Sequence, residues 1–184
     1  YIKNAKLLKS LSYQEASELA MFGAKVLHPR SVYFAMRYEV PLVVLSTFNP
    51  IPQTWIIKEE ELMEKPVVTG VTYRMDEAKI TVNKLPRTSK SLDAIFGKLS
   101  NEGIFVDMIT QSGQATDTFD LSFTVPDEVS AKALEYTQSC VPKIEAEGAH
   151  LERDIAKVSV VGVGMKYHTG VAAKMFAVLA KENI

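Results

Sequence analysis

Apolar and polar positions alternate with helical and strand-like periods along the first third of the chain. Ser12-Tyr13-Gln14-Glu15 has the form of a capping box and predicts a helix from Tyr13 to Phe22. Pro29 suits the first turn of a second helix that runs to about Tyr38. Pro41 to Leu45 is apolar and predicts a short buried strand. Residues 46–65 carry two prolines and a glutamate run but no periodic apolar face, so we expect a domain boundary there.

Beyond that boundary, short strand-like runs alternate with single helical stretches. The predicted strands are Val67 to Tyr73, Ala78 to Asn83, Ile104 to Gln111 and Phe119 to Val125, and the predicted helices are Thr88 to Asn101 and Asp127 to Lys143. The first of these helices has apolar residues at i, i+3, i+4 and i+7, which form one stripe that can lie on a sheet. The β-α-β-β-α order is typical of ferredoxin-like folds.

The chain also contains an internal repeat. Ala78 to Val82 matches Ala156 to Val160, and three apolar positions further along match as well. These pairs are Phe96 with Phe176, Leu99 with Leu179, and Ile104 with Ile184. A second copy of the unit therefore starts near Ile155 and stops where its second strand should begin, which would leave an exposed sheet edge. Since the chain also begins at Tyr1 rather than a methionine, we expect it to be a piece cut at both ends.

Composition narrows the class of protein. The 184 residues are 47% hydrophobic and 23% charged, as in ordinary globular proteins. A formal net charge of -1 and scattered lysines and arginines argue against nucleic-acid or anionic-membrane partners. Cys140 is the single cysteine, so no intrachain disulfide can form, and no apolar run approaches the roughly 20 residues of a membrane span. We expect a cytoplasmic protein that holds no metal in a cysteine-histidine site.

A glycine pair follows the second predicted copy of the strand. Gly162-Val163-Gly164-Met165-Lys166 lies between a strand and a helix, where backbone amides can hold an anion such as a carboxylate. Tyr167 occupies the third glycine position of a dinucleotide-binding motif, so that motif is not met. The alternative interpretation is a turn that needs glycine to bend.

Two further groups of polar residues are candidates for ligand contacts. Asp107 and Gln111 lie on one face of a predicted strand, where a carboxylate and an amide could orient a free amino acid. A solvated strand face is the alternative. Lys25 and His28 lie between the first two helices, where a cation can reach phosphate and a histidine can transfer protons. Packing or surface roles are the alternative for both.

The run from Leu19 to Val32, Leu-Ala-Met-Phe-Gly-Ala-Lys-Val-Leu-His-Pro-Arg-Ser-Val, resembles the segment near the end of the catalytic domain of aspartate kinases. Further similar segments are Pro41 to Val44, Thr47 to Pro50, Val68 to Val71, Ala78 to Val82, Val106 to Ile109, Ser122 to Pro126, Lys157 to Lys166 and Gly170 to Phe176. The resemblance implies an α/β (α+β) fold in three parts. Residues 1–58 would end an amino-acid kinase domain, 66–152 would form a first ferredoxin-like ACT unit (βαββαβ), and 153–184 would begin a truncated second ACT unit.

Such enzymes transfer the γ-phosphoryl group of ATP to the β-carboxylate of L-aspartate, giving 4-phospho-L-aspartate for lysine, threonine and methionine biosynthesis. The resemblance implies ATP contacts from Lys25 and Val26, with Mg as the phosphate counter-ion bound mainly by parts missing from this chain. It implies lysine or threonine as allosteric effector and a homodimer or higher oligomer through the ACT units. The implied effector-binding residues are Thr88, Ser89, Val106, Asp107, Met108, Gln111, Met165, Thr169 and Gly170.

Two departures from the family pattern keep alternatives open. The family's N-terminal K-F-G-G-T/S motif is absent from this sequence, so we expect no catalytic residue here and no activity from this chain alone. A separate regulatory subunit that binds an effector and a catalytic partner chain is one alternative. Arg87 stands where the family commonly has an aspartate before Pro-Gly, and its charge would repel an effector's ammonium group. ACT units that serve dimerisation only are therefore a second alternative.

Overall fold

The computed structural model describes residues 5–62, 66–113 and 117–184. It forms two compact units, one made of Tyr1–Tyr73 with Val158–Ile184 and the other of Arg74–Lys157. In chain order the elements are β1 (Ser10–Ser12), α1 (Tyr13–Met21), α2 (Pro29–Arg37), β2 (Leu42–Leu45), β3 (Gln53–Ile57), β4 (Gly70–Pro86), α3 (Ser89–Asn101), β5 (Ile109–Ser112), β6 (Thr118–Pro126), α4 (Asp127–Ile144), β7 (Gly148–Val161) and α5 (Val171–Lys181). This mixed architecture confirms the predicted α/β class, while the predicted domain limits 1–58, 66–152 and 153–184 stay predictions.

The first unit contains a three-stranded sheet in the order β1-β3-β2. Trp55 of β3 pairs in parallel with Ser10 and antiparallel with Val43. β3 lies within residues 46–65, directly after Pro52, in the stretch where the sequence showed no periodic apolar face. Only Ile56 of its five residues is fully buried, so the strand shows no period that the sequence could reveal.

The first two helices begin where their caps predict. The Ser12 hydroxyl accepts from the Glu15 N–H and the Glu15 carboxylate accepts from the Ser12 N–H, at 3.1 and 3.0 Å, so the predicted capping box is confirmed. Pro29 opens α2, and His28 is its N-cap, with Nδ1 accepting from the Arg30 N–H at 3.1 Å. The apolar faces of both helices are buried in the core of the first unit. That core comprises Leu11, Tyr13, Ala16, Leu19, Val32, Ala35, Ile56 and Val161.

The second unit is built on a four-stranded sheet in the order β5-β6-β4-β7. β6 pairs antiparallel with both neighbours, Phe123 lying opposite Ile80 and Leu121 opposite Gln111. Helices α3 and α4 contact each other and bury their apolar stripes in one core. Its fully buried members include Ile80, Val82, Leu85, Ile95, Leu99, Leu121, Phe123, Val125 and Ala133.

Strand bounds differ from the predictions in two places. The runs predicted as separate strands at Val67 to Tyr73 and Ala78 to Asn83 merge into β4, which spans Gly70–Pro86. Residues 74–77 lay between the two predicted strands, and within β4 Arg74 pairs with the buried Glu77 at 3.2 Å. The strand predicted from Ile104 begins only at Ile109. None of the helices in the described ranges is long and apolar enough to cross a membrane.

Candidate functional site

The Gly162-Val163-Gly164 loop packs its backbone against residues 66–69. A Cβ on Gly162 would lie 2.3 Å from the Val67 carbonyl oxygen, and one on Gly164 would lie 2.8 Å from the Pro66 oxygen. Gly162 has an extended φ of 172°, so close approach rather than bending requires glycine here. The bending interpretation was therefore wrong for Gly162.

The anion-holding interpretation of this loop has an internal counterpart. The Val163 N–H donates to Glu15 Oε1 at 3.3 Å, so the loop holds a carboxylate from its own chain. The predicted helix does not start at once, because a 3₁₀ turn over Val163–Tyr167 intervenes before α5. The position of Glu15 beside this loop is a feature that sequence reasoning missed.

An apolar groove of about 630 Å³ lies in the first unit beside α5. Its lining residues are Val67, Val68, Val71, Val158, Val160, His168, Thr169, Gly170, Val171, Lys174, Met175, Val178 and Leu179. Two of the predicted effector residues, Thr169 and Gly170, thus lie at this groove. Met165 is half-buried in the 3₁₀ turn and is not part of the lining.

Asp107 lies just before β5 and already has a cationic partner. Its N–H donates to the Thr124 carbonyl at 3.0 Å, and the next residue, Met108, donates to the Thr124 hydroxyl at 3.1 Å. The Asp107 carboxylate pairs with the Lys157 ammonium, which also lies 3.9 Å from Glu77 Oε1. A ligand ammonium at Asp107 would have to share this carboxylate with Lys157 or displace it.

The predicted effector residues of the second unit do not converge within one chain. Thr88 is at the N-cap position of α3, with its hydroxyl 2.7 Å from that of Ser91. It lies two residues after Pro86, which pairs with Thr118. Asp107 bonds to Thr124, six residues further along β6, which is about 20 Å at the strand rise of about 3.3 Å per residue. A free amino acid is shorter than this, so Thr88 and Asp107 of one chain cannot both contact it.

The remaining predicted residues divide between the two ends of this sheet. Ser89 is the first residue of α3, and its side chain lies outside the described part of the structure. Gln111 is exposed on β5, while Val106 is half-buried against the core. Arg87 places its guanidinium 5.4 Å from the centre of the Phe119 ring. This contact gives the arginine a cation–π partner in the chain.

Lys25 and Val26 lie exposed in the turn between α1 and α2. Hydrogen bonds from the Ala24 N–H to the Leu19 oxygen and from the Val26 N–H to the Ala24 oxygen, at 2.9 and 2.7 Å, fix this turn. Beside it is an apolar pocket of about 290 Å³, to which Ala24, Val26 and Leu27 contribute. His28 has a different role from these two residues. Its Nδ1 accepts from the Arg30 N–H and caps α2.

Lys58, directly after β3, is held in an ion pair. The pKa of Lys58 is raised above its ordinary value by its hydrogen bond to Glu39, whose Oε2 lies 2.7 Å away. Burial raises the pKa of Tyr13, with the Glu61 carboxylate adding to the effect. Among the residues that the structure describes, no group of three or more His, Cys, Asp or Glu side chains could hold a metal ion.

Comparison with known proteins identifies two family segments. The amino acid kinase family matches residues 1–46, and the ACT domain matches residues 158–184. Aspartate kinase Ask_LysC of Stutzerimonas stutzeri is 42% identical over 184 residues, which is all of this chain and 45% of that protein. The chain thus spans about half the length of the curated relatives it matches.

Solved structures agree with this assignment. The regulatory subunit of aspartate kinase from Thermus thermophilus is 37% identical with a TM-score of 0.58, over 63% of this chain and 76% of that one. E. coli aspartokinase III with aspartate and ADP, in the R-state, is 26% identical with a TM-score of 0.76, over 97% of this chain and 40% of that one. The same enzyme with lysine and aspartate, in the T-state, gives a TM-score of 0.69 over 97% and 39%.

These matches define the class of protein as an amino-acid kinase segment combined with ACT-type segments. The chain belongs to the aspartate kinase family. The resemblance found in the sequence is therefore confirmed, and so is the predicted combination of folds.

Proposed function

We propose that this chain is the C-terminal part of an aspartate kinase, which phosphorylates L-aspartate to 4-phospho-L-aspartate with ATP. The observation that carries the proposal is the 42% identity to an aspartate kinase over all 184 residues. In the whole enzyme, this part contributes feedback regulation and one edge of the nucleotide site. Nothing in the composition favours export or a membrane surface, which supports a cytoplasmic location.

The nucleotide edge is the turn that carries Lys25 and Val26. An exposed ammonium group can approach the phosphates of ATP, and the pocket of about 290 Å³ beside Val26 offers an apolar wall to the base. The Mg counter-ion of the phosphates would be held mainly by parts of the enzyme outside this chain.

The regulatory role rests on the ACT-type segments. Lysine or threonine is the effector. Its proposed contacts in the second unit are Thr88, Ser89, Val106, Asp107, Met108 and Gln111, and those in the first unit are Met165, Thr169 and Gly170. Because the β6 partners of Pro86 and Asp107 lie about 20 Å apart along that strand, the second-unit contacts are completed across a homodimer or higher oligomer. Crystals of E. coli aspartokinase III with lysine support an amino-acid effector in the family.

A second candidate is a regulatory subunit that binds an effector and a catalytic partner chain but performs no chemistry. The similarity to the Thermus thermophilus regulatory subunit, of which this chain covers 76%, favours it. A variant of this candidate is a subunit whose ACT units bind no effector and serve dimerisation only.

The test is aspartate-dependent ADP release by the protein expressed at the full length of its open reading frame. We expect release from the full-length protein and none from residues 1–184 alone. Lys25→Met should raise the KM for ATP about tenfold, as expected when one phosphate contact of about 1.4 kcal/mol is lost. Lys58→Met, at an exposed lysine paired with Glu39, should leave the KM unchanged.

A second measurement separates the two candidates. Isothermal titration of this chain with lysine, threonine and methionine, together with its mass in solution, identifies the effector and the oligomer. Effector binding combined with no ADP release at full length would favour the regulatory subunit. Absence of both ADP release and effector heat would contradict both candidates.

A further inference from the structure

Glu15 is a buried carboxylate whose two oxygens face different parts of the first unit. The residue is 1% exposed. Its Oε2 accepts from the N–H and the hydroxyl of Ser12, both at 3.0 Å. Its Oε1 accepts from the Thr69 hydroxyl and, at 3.3 Å, from the Val163 N–H. Burying a carboxylate costs several kcal/mol unless such donors surround it, so these contacts are needed together.

Helix capping accounts for only one of the two oxygens. A capping box requires that the glutamate reach back to the N-cap amide, and Oε2 does this alone. Oε1 instead bonds to Thr69 and Val163, which lie 54 and 148 positions further along the sequence. The cap of α1 would be complete without those two contacts.

The two segments that Oε1 contacts are themselves one packed layer. The Thr69 N–H donates to the Val161 oxygen at 2.8 Å. The glycine loop beyond Val161 approaches residues 66–69 so closely that a Cβ on Gly162 would clash with backbone atoms. A displacement of this loop is therefore shared by residues 66–69, and Oε1 connects both to α1.

The chain continues from both sides of this connection into regions with proposed ligand roles. Two residues after Val163 comes Met165, followed by Thr169 and Gly170, all proposed effector contacts. On the other side, α1 ends at Met21 and leads into the turn with Lys25 at the proposed nucleotide edge. Glu15 thus lies between an effector segment and a nucleotide segment of the same unit.

We propose that Glu15 is the positioning residue that couples the effector loop to the nucleotide edge, an inference that rests on the proposed kinase function. When an effector moves the loop after Gly162, the Val163 amide moves with it. Oε1 is buried away from bulk solvent, so losing that donor is costly and α1 follows. The helix then shifts the turn that contacts ATP. A coupling of this kind typically changes the affinity for one ligand by about 5- to 150-fold when the other is bound.

The discriminating variant is Glu15→Gln, which keeps the size of the side chain. A glutamine has one carbonyl oxygen that accepts and an NH₂ group that only donates, so it cannot accept on both sides at once. The matched control is Ser12→Ala, which removes the hydroxyl contact to Oε2 and leaves the donors to Oε1 in place. Ser12→Ala therefore reports the loss of helix stability without the loss of the connection.

In the full-length enzyme, Glu15→Gln should raise the effector concentration for half-inhibition at least fivefold, with kcat in the absence of effector within twofold of wild type. The effector Kd of this chain, measured by calorimetry, should also stay within twofold. Ser12→Ala should be less stable but inhibited at the wild-type concentration. If Glu15→Gln fails to fold, Thr69→Val removes one donor to Oε1 and should shift half-inhibition in the same direction.

Amide hydrogen exchange of residues 1–184 tests the contact itself, independently of kinase activity. The Val163 amide should exchange at least tenfold faster in Glu15→Gln and at the wild-type rate in Ser12→Ala. Unchanged exchange, or unchanged half-inhibition in an active and inhibitable enzyme, would overturn the coupling role alone. A wild-type full-length protein without aspartate-dependent ADP release would instead overturn the proposed function.

Discussion

Gly162→Ala should destabilise the first unit far more than an ordinary glycine-to-alanine change. The new Cβ would lie 2.3 Å from the Val67 oxygen, 2.9 Å from the Val68 Cα and 3.0 Å from the Thr69 nitrogen. All three are backbone atoms, so no side chain can rotate away. Since φ is 172°, alanine itself fits the local backbone, and the effect isolates the packing term.

The magnitude follows from the shift that the clash requires. Carbon–oxygen contacts of this type settle near 3.3–3.6 Å, so the two segments must separate by about 1 Å. That separation stretches the hydrogen bond from the Thr69 N–H to the Val161 oxygen, now 2.8 Å, out of range. Overpacking of about 1–3 kcal/mol plus one lost hydrogen bond of about 1 kcal/mol gives a loss of about 2–4 kcal/mol.

Urea unfolding followed by tryptophan fluorescence measures this loss. Trp55 is the single tryptophan and lies on β3, so its signal reports the first unit. Gly148→Ala is the control, because nothing lies within 4 Å of its Cβ position, and circular dichroism should show it unchanged or slightly more stable. A Gly162→Ala transition within about 0.5 kcal/mol of wild type would refute the close-packing argument.

Three further changes test other contacts. The hydrogen bond from the Tyr136 hydroxyl, helped by a nearby lysine, holds the pKa of Glu102 below its ordinary value. Its folded-state pKa is thus below the unfolded one, so Glu102→Gln should be less stable than wild type at neutral pH. The difference in unfolding free energy should vanish as acid titrates the folded carboxyl. A pH-independent difference would contradict this. Phe123→Ala should cost about 3–5 kcal/mol in thermal unfolding, since the side chain is 1% exposed, and a loss below 1 kcal/mol would contradict the core assignment. In calorimetric titration, Asp107→Ala should weaken effector binding more than Thr118→Ala, and equal, negligible effects would remove Asp107 from the site.

Local signals in the sequence were sufficient for the helices. The capping box at Ser12 and the proline at position 29 set the starts of α1 and α2 correctly, and their predicted ends were each one residue too late. These signals act within a few residues, so they do not depend on the rest of the fold. The three-residue β1 and the five-residue β3 were missed because each is stabilised by pairing with a distant strand.

Polar contacts inside the sheet of the second unit were hidden for a related reason. Glu77 fell between two predicted strands, yet it is 2% exposed beside Arg74 in the middle of β4. The Asp107 carboxylate was chosen as a ligand contact, but its partner Lys157 is 50 residues away. Charge pairs of this kind leave no mark in hydrophobic periodicity, because each charge satisfies another instead of facing water.

The glycine loop shows why local interpretation of a motif fails when the constraint is remote. From the residues alone, Gly162-Val163-Gly164 suggested either a bend or an anion site. The internal repeat pointed only to a second copy starting near Ile155. It could not reveal that residues 66–69, which precede the first copy, would lie against the end of the second copy's strand. Their backbone comes so close that Gly162 and Gly164 leave no room for a Cβ. Glycine at a strand end can mark close approach of another backbone, as at Gly162 and Gly164, and the segment that approaches must then be sought elsewhere in the chain.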